Sequence, residues 1–307
     1  MSILITAEEL ADRLASGEHT VVLDVRWSLA EPDGTEAYRA GHVPGAVYVD
    51  LDHELADHDV AGQGRHPLPS EAAFTRSMRR WGLRDGDTVV VMDDLGNQSA
   101  ARAWWLLRHA GATDVRMLDG GLAAWRAAGH PLELGDVAPE PGDATAHFGG
   151  MPVIDIDEAA EFSGRGVLLD ARAAARYRGE VEPIDPRAGH IPGARSAPSG
   201  ENLDADGRFK VPEALREHFA GVGVTGEAPV AAYCGSGVTA AHEVAALAIA
   251  GIDAALYPGS WSQWSNDETR QVATGAADAA GAADAAGAAD AAGAADAAGA
   301  AGAAPTG

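Results

Sequence analysis

The sequence predicts an α/β protein made of two tandem copies of one domain, each a mostly parallel sheet flanked by helices. Three observations carry this. Short β-branched runs such as "TVVLDV" (20–25) and "TVVVMD" (88–93) have the apolar continuity of strands buried on both faces. They alternate with helical patterns, "AARAWWLLRHAG" (100–111) and "AAHEVAALAIAG" (240–251), each closing on the glycine expected just past a helix end. Whole stretches also recur: "VVLDVR" (21–26) as "VLLDAR" (167–172), "RAGHVPGA" (39–46) as "RAGHIPGA" (187–194), and "LDGGLAAW" (118–125) as "YPGSWSQW" (257–264).

The repeats place one domain at residues 1–130 and its second copy at 151–272, joined by a Pro- and Gly-containing linker, 131–150. From Gly275 the chain repeats "GAADAA" four times, with no large apolar side chain to bury, and each glycine costs a helix about 1 kcal/mol. Residues 273–307 are therefore expected to be a disordered, solvating tail. The chain carries 46 acidic and 22 basic residues, a formal charge of −24, which argues against nucleic acid and anionic membrane as partners. No run of eighteen apolar residues suggests a membrane span, and "MSILITAEEL" does not read as a signal peptide. One cysteine in 307 residues rules out an intrachain disulfide and a cysteine zinc cluster, and it fits a cytoplasmic location. No cofactor and no metal is expected.

That cysteine, Cys234, stands in "AAYCGSGVTAAHEV" (231–244), where a strand gives way to a loop and then a helix. The carboxyl end of a strand is where ligands bind in α/β sheets. The helix N-terminus and a nest of loop N–H groups, permitted by Gly235 and Gly237, favour negative charge there. Such a setting favours the thiolate, the nucleophilic form of cysteine. Dithiol redox chemistry lacks its second cysteine. A cysteine phosphatase needs an arginine six positions on, where Ala240 stands, and His242 falls within the following helix and is expected to point away.

The duplicated domain, "GHxPGA" in both copies and the loop "CGSGVT" together resemble the rhodanese sulfurtransferases, across nearly all of residues 1–272. The uncharged Gly235–Ser236–Gly237 is similar to the 3-mercaptopyruvate branch of that family rather than the thiosulfate branch. The resemblance implies two rhodanese-like domains and sulfur transfer through a Cys234 persulfide, from 3-mercaptopyruvate to a thiol or cyanide. The loop from Gly235 through Val238 to Thr239 would hold the charged sulfur. Arg178 in "YRG" and Arg187 in "DPR" would bind the substrate carboxylate. By position, Asp52 and His66 of the first domain would face the cysteine loop and handle protons with Ser236; the same stretch also carries His53 and His58, and the alternative role for Ser236 is to cap its loop. A thioredoxin-like protein is a candidate acceptor. Thiosulfate:cyanide transfer and a non-catalytic binding module are the alternatives. His42 and His190 recur in both copies, which points to a structural role, and Asp170–Arg172 reads as an internal ion pair. Aligned by the following helices, Asp94 takes the place of Cys234 in the first copy, making it catalytically silent.

Overall fold

The computed structural model describes residues 2–276. Five strands, β1 (Leu4–Ile5), β2 (Thr20–Asp24), β3 (Val47–Tyr48), β4 (Thr88–Met92) and β5 (Asp114–Leu118), form one sheet in the order β1-β5-β4-β2-β3, parallel throughout. A second parallel sheet, in the order β7-β6-β8-β9, contains β6 (Val167–Asp170), β7 (Arg195–Ser196), β8 (Val230–Tyr233) and β9 (Ala254–Leu256). The central strands β4 and β8 are almost wholly buried, as their unbroken apolar runs require.

The two copies meet through equivalent helices, Ala100–His109 and Thr239–Ile249, which pack on one another. Both are buried nearly all round, the mark of a helix enclosed in a core. Alanine on both lets the backbones approach, and one apolar cluster runs through the two domains. Gly111 and Gly251 sit just past these helices at φ 96° and 81°, the left-handed geometry of a C-terminal stop. Among the described residues, no helix is long and apolar enough to cross a membrane.

The "GHxPGA" turns do the same work in both copies. The His42 and His190 Nδ1 atoms lie 3.0 and 2.8 Å from the carbonyls of Tyr38 and Tyr177. Each ring stacks on that tyrosine, whose hydroxyl donates to Ala46 or Ala194 at 2.7 Å. Arg26 and Arg172 each pair with a buried aspartate, Asp24 or Asp170, and donate to the carbonyl of Gly41 or Gly189.

Residues 131–150 are extended but not loose. Gly142, Ala144, His147 and Gly150 donate backbone hydrogen bonds to Arg79, Leu83, Ala110 and His109 of the first domain, and Ala144 and Ala146 are buried. The start of the expected tail is also ordered: Ala273 bridges antiparallel to His190, and the Gly275 N–H donates to the Arg178 carbonyl at 2.9 Å. The folded chain therefore continues past residue 272, and residues 277–307 of the expected tail lie outside the described residues.

Candidate active site

Cys234 is the first residue after β8, 1% exposed, at the wall of a cavity of about 420 Å³. Its Sγ accepts a hydrogen bond from the Gly237 N–H at 3.1 Å, so the loop curls back over the sulfur. This curl needs Gly237: at φ +83°, a Cβ there would lie 2.4 Å from the Pro258 carbonyl oxygen. The next segment clamps the loop from outside. Ser260 Oγ accepts from the Cys234 N–H, and Trp261 and Ser262 donate to the carbonyls of Cys234 and Gly235. Gly235, Ser236, Val238 and Thr239 line the same cavity as the thiol.

The cations of this cavity are not the expected pair. Arg178 is half-exposed and spends its guanidinium on Glu180 at 2.8 Å. Arg187 donates to the carbonyls of Trp264, Ser265, Asp267 and Arg270 at 2.6–2.8 Å, fastening the C-terminal segment. Neither lines the cavity, which corrects the expectation that they hold substrate. Arg176 and Arg65 do line it. A Cβ built on Gly235 would stand 3.4 Å from Arg65 Nη2 and 3.7 Å from Arg176 Nη1, so one guanidinium from each domain borders the cysteine loop. Two residues along a helix is about 200° of rotation. On the helix Ala174–Arg178 that turns Arg176 inward when Arg178 faces out. Arg65 arrives on a loop docked across the domain boundary: Gly64 has φ +89°, a Cβ there would come within 2.4 Å of the Gly259 oxygen, and the Arg65 N–H donates to Ser262 Oγ at 2.9 Å. Glu182 and Asp185 hold both heads, Arg176 to Glu182 at 2.7 Å and Arg65 to Asp185 at 2.9 Å.

Asp52 and His66 are brought together, 3.3 Å apart, but neither lines the cavity that holds Cys234. The His66 ring lies edge-on to Trp27, whose side chain is part of the cavity wall, and its backbone carbonyl is taken by Arg102. The interaction with His66 holds the Asp52 carboxyl below its usual range, and burial pushes the His66 imidazole down. His242 is buried against Phe209, away from the loop, as expected.

The repeat is sharper in space than in sequence. Asp24 pairs with Met92 in the first sheet as Asp170 pairs with Tyr233 in the second. The residue after each central strand is thus Asp93 in one copy and Cys234 in the other. Leu122 donates to the Asp93 carbonyl as Trp261 donates to that of Cys234, both at 2.9 Å. The expected equivalence of Asp94 with Cys234 is off by one, because the first loop carries one residue more before the aligned positions Ser99 and Thr239. Asp93 is fully buried, and its carboxylate accepts from the N–H groups of Leu95, Asn97, Ser99 and Ala100 at 2.7–3.0 Å.

Residues 6–128 and 149–267 each match the rhodanese-like domain. The chain belongs to the rhodanese family. This rhodanese is 50% identical over 280 residues to the putative thiosulfate sulfurtransferase SseB of Mycobacterium tuberculosis, covering 90% of this chain and 98% of that protein. It is 48% identical over 284 residues to the probable 3-mercaptopyruvate sulfurtransferase of Pseudomonas aeruginosa, covering 89% and 98%. The crystal structure of SseA from Escherichia coli, a 3-mercaptopyruvate sulfotransferase, matches with a TM-score of 0.76 at 34% identity, covering 85% of this chain and all of that one. The protein is a sulfurtransferase of this family, with tandem rhodanese domains.

One further residue of this rhodanese was not read from sequence. Arg102, on the first-domain helix and 0% exposed, donates to the carbonyls of Gly237 (3.2 Å), His66 (3.0 Å) and Leu55 (3.2 Å). It thereby ties the cysteine loop to the other domain. Burial pulls its pKa down to about 10, with the Cys234 charge acting in the opposite direction. The signal available was a charged residue inside "SAARAWWLLRHAG", in the first turn of a helix that is otherwise apolar until Arg108 and His109 in its last turn.

Proposed function

We propose that the protein transfers sulfur from 3-mercaptopyruvate, through a persulfide on Cys234, to a thiol or cyanide. The thiolate attacks the donor sulfur, the carbon–sulfur bond breaks, and its electron pair leaves with pyruvate as the enolate, which then takes a proton. Ser236 and Thr239, on the cavity wall, offer hydroxyls to the enolate. An acceptor thiolate or cyanide removes the outer sulfur and regenerates Cys234. The observation that supports this donor is the meeting of Arg65 and Arg176 beside Gly235, where a carboxylate one short chain away from the attacked sulfur would lie between two planar cations. The loop itself then needs no charge. The same reading places the enzyme in the cytoplasm with a reduced thioredoxin-like protein as acceptor, which suits a chain with one cysteine and no second thiol of its own.

A second reading, thiosulfate as donor, draws on the same two guanidinium groups, which would hold a sulfonate equally well, and on the name of the Mycobacterium tuberculosis relative. Mass spectrometry after incubation with each donor separates them. A gain of one sulfur atom at Cys234, formed faster from 3-mercaptopyruvate, supports the first reading; faster loading by thiosulfate overturns it. Arg176→Ala is expected to raise KM for 3-mercaptopyruvate about 10- to 100-fold with a smaller change in kcat, the loss of one charged bidentate contact. Arg178→Ala is expected to stay within about twofold in steady-state assays, since that side chain faces solvent away from the cavity.

A further inference from the structure

Next to the cavity wall, on the first-domain side, three side chains able to bind metal converge. Asp52 Oδ1 lies 3.3 Å from His66 Nε2 and 3.8 Å from His58 Nε2, and the three ligand atoms lie within 4.8 Å of one another. Asp52 Oδ1 is buried without a hydrogen-bond partner, and His66 is 3% exposed with its Nδ1 also unpartnered. That carboxylate oxygen faces two imidazole nitrogens. We propose that Asp52, His58 and His66 form a binding site for a borderline divalent cation of the zinc class.

The donor set suits such an ion. Two imidazoles and one carboxylate are a recurrent three-ligand arrangement for first-row divalent metals, with the remaining positions left to water. Ligand atoms about 3.3 Å apart are what bonds of about 2.0–2.1 Å in a tetrahedron require. The 3.3 Å pair already has that spacing. The 3.8 Å pair closes by a small movement of His58, whose side chain is 46% exposed on a glycine-containing loop and gives the ion its way in. The nearby cations are Arg65 and Arg102, the first paired with Asp185 and the second committed to three backbone carbonyls. The site does not depend on the sulfur-transfer reading, since none of its three side chains lines the cysteine cavity.

Titration calorimetry of the full chain with Zn2+ at neutral pH tests this. The expected result is one equivalent bound with micromolar affinity, weakened at least about tenfold by His58→Ala and by Asp52→Asn, and unchanged by Cys234→Ser. Because His58 is a surface residue, its variant should fold normally, and Co2+ should give visible absorption bands in the parent protein that His58→Ala loses. No binding, binding indifferent to His58→Ala (other carboxylates), or binding lost in Cys234→Ser (thiolate ligation) would each overturn the proposal.

Discussion

Cys234→Ser is expected to abolish sulfur transfer, with a loss of at least about 10³-fold against either donor, while the protein melts within a few degrees of the parent. An alkoxide-forming hydroxyl is a poor nucleophile toward sulfur and cannot carry it as a persulfide, so no slower version of the same route remains. Structurally the exchange is mild. The sulfur's hydrogen bond is accepted from the Gly237 N–H, which a serine oxygen also accepts, and the site is small and already polar on the loop side. Transfer measured with 3-mercaptopyruvate and cyanide, together with a thermal melt, gives both readings. Undiminished turnover with an intact fold would remove Cys234 from the mechanism.

Arg102→Met is expected to have the next largest effect, on stability and on the thiol together. The guanidinium is fully enclosed and serves three carbonyls, of Leu55, His66 and Gly237. Methionine fills much of the volume but leaves those oxygens unpaired, at about 1–3 kcal/mol each. Relief of the buried cation's own desolvation offsets some of this, which leaves a net loss of about 2–4 kcal/mol. The lost charge also stood toward Cys234. Alkylation of Cys234 by iodoacetamide at fixed neutral pH should slow a few-fold under conditions where the variant is fully folded, because a cation that interacts with the sulfur is gone. A variant that is only less stable, with alkylation unchanged, would reduce Arg102 to a structural tie.

The two sheets and their repeat were legible because buried parallel strands leave continuous β-branched runs, and because "GHxPGA" serves one packing arrangement twice. The thiol was legible from its strand–loop–helix setting. The arginines were not. The segment "ARYRG" borders the cavity, but which of its arginines points inward depends on helix phase, and two residues reverse the answer. Arg65 sits in a glycine-containing loop that shows no period, and only its docking on the second domain brings it to the cavity. Asp52 and His66 stand 3.3 Å apart, but local sequence does not state what stands between them and the thiol; here Trp27 forms that part of the wall.

Asp93 has a consequence for the second loop. A carboxylate and a persulfide are near-isosteres: counted outward from Cα, the aspartate Cγ stands where Cys234 has its sulfur, and the aspartate oxygens stand where a transferred sulfur would be. The first domain thus shows the terminal oxygens of Asp93 seated in such a loop, with four N–H groups turned onto them. It is a molecular cast of the loaded enzyme, set permanently in carbon and oxygen. By the same geometry, sulfur bound to Cys234 would be held by the amides of its loop, of which that of Gly237 already faces the thiol, so loading should raise the melting temperature, and reduction with excess thiol should return it to the resting value.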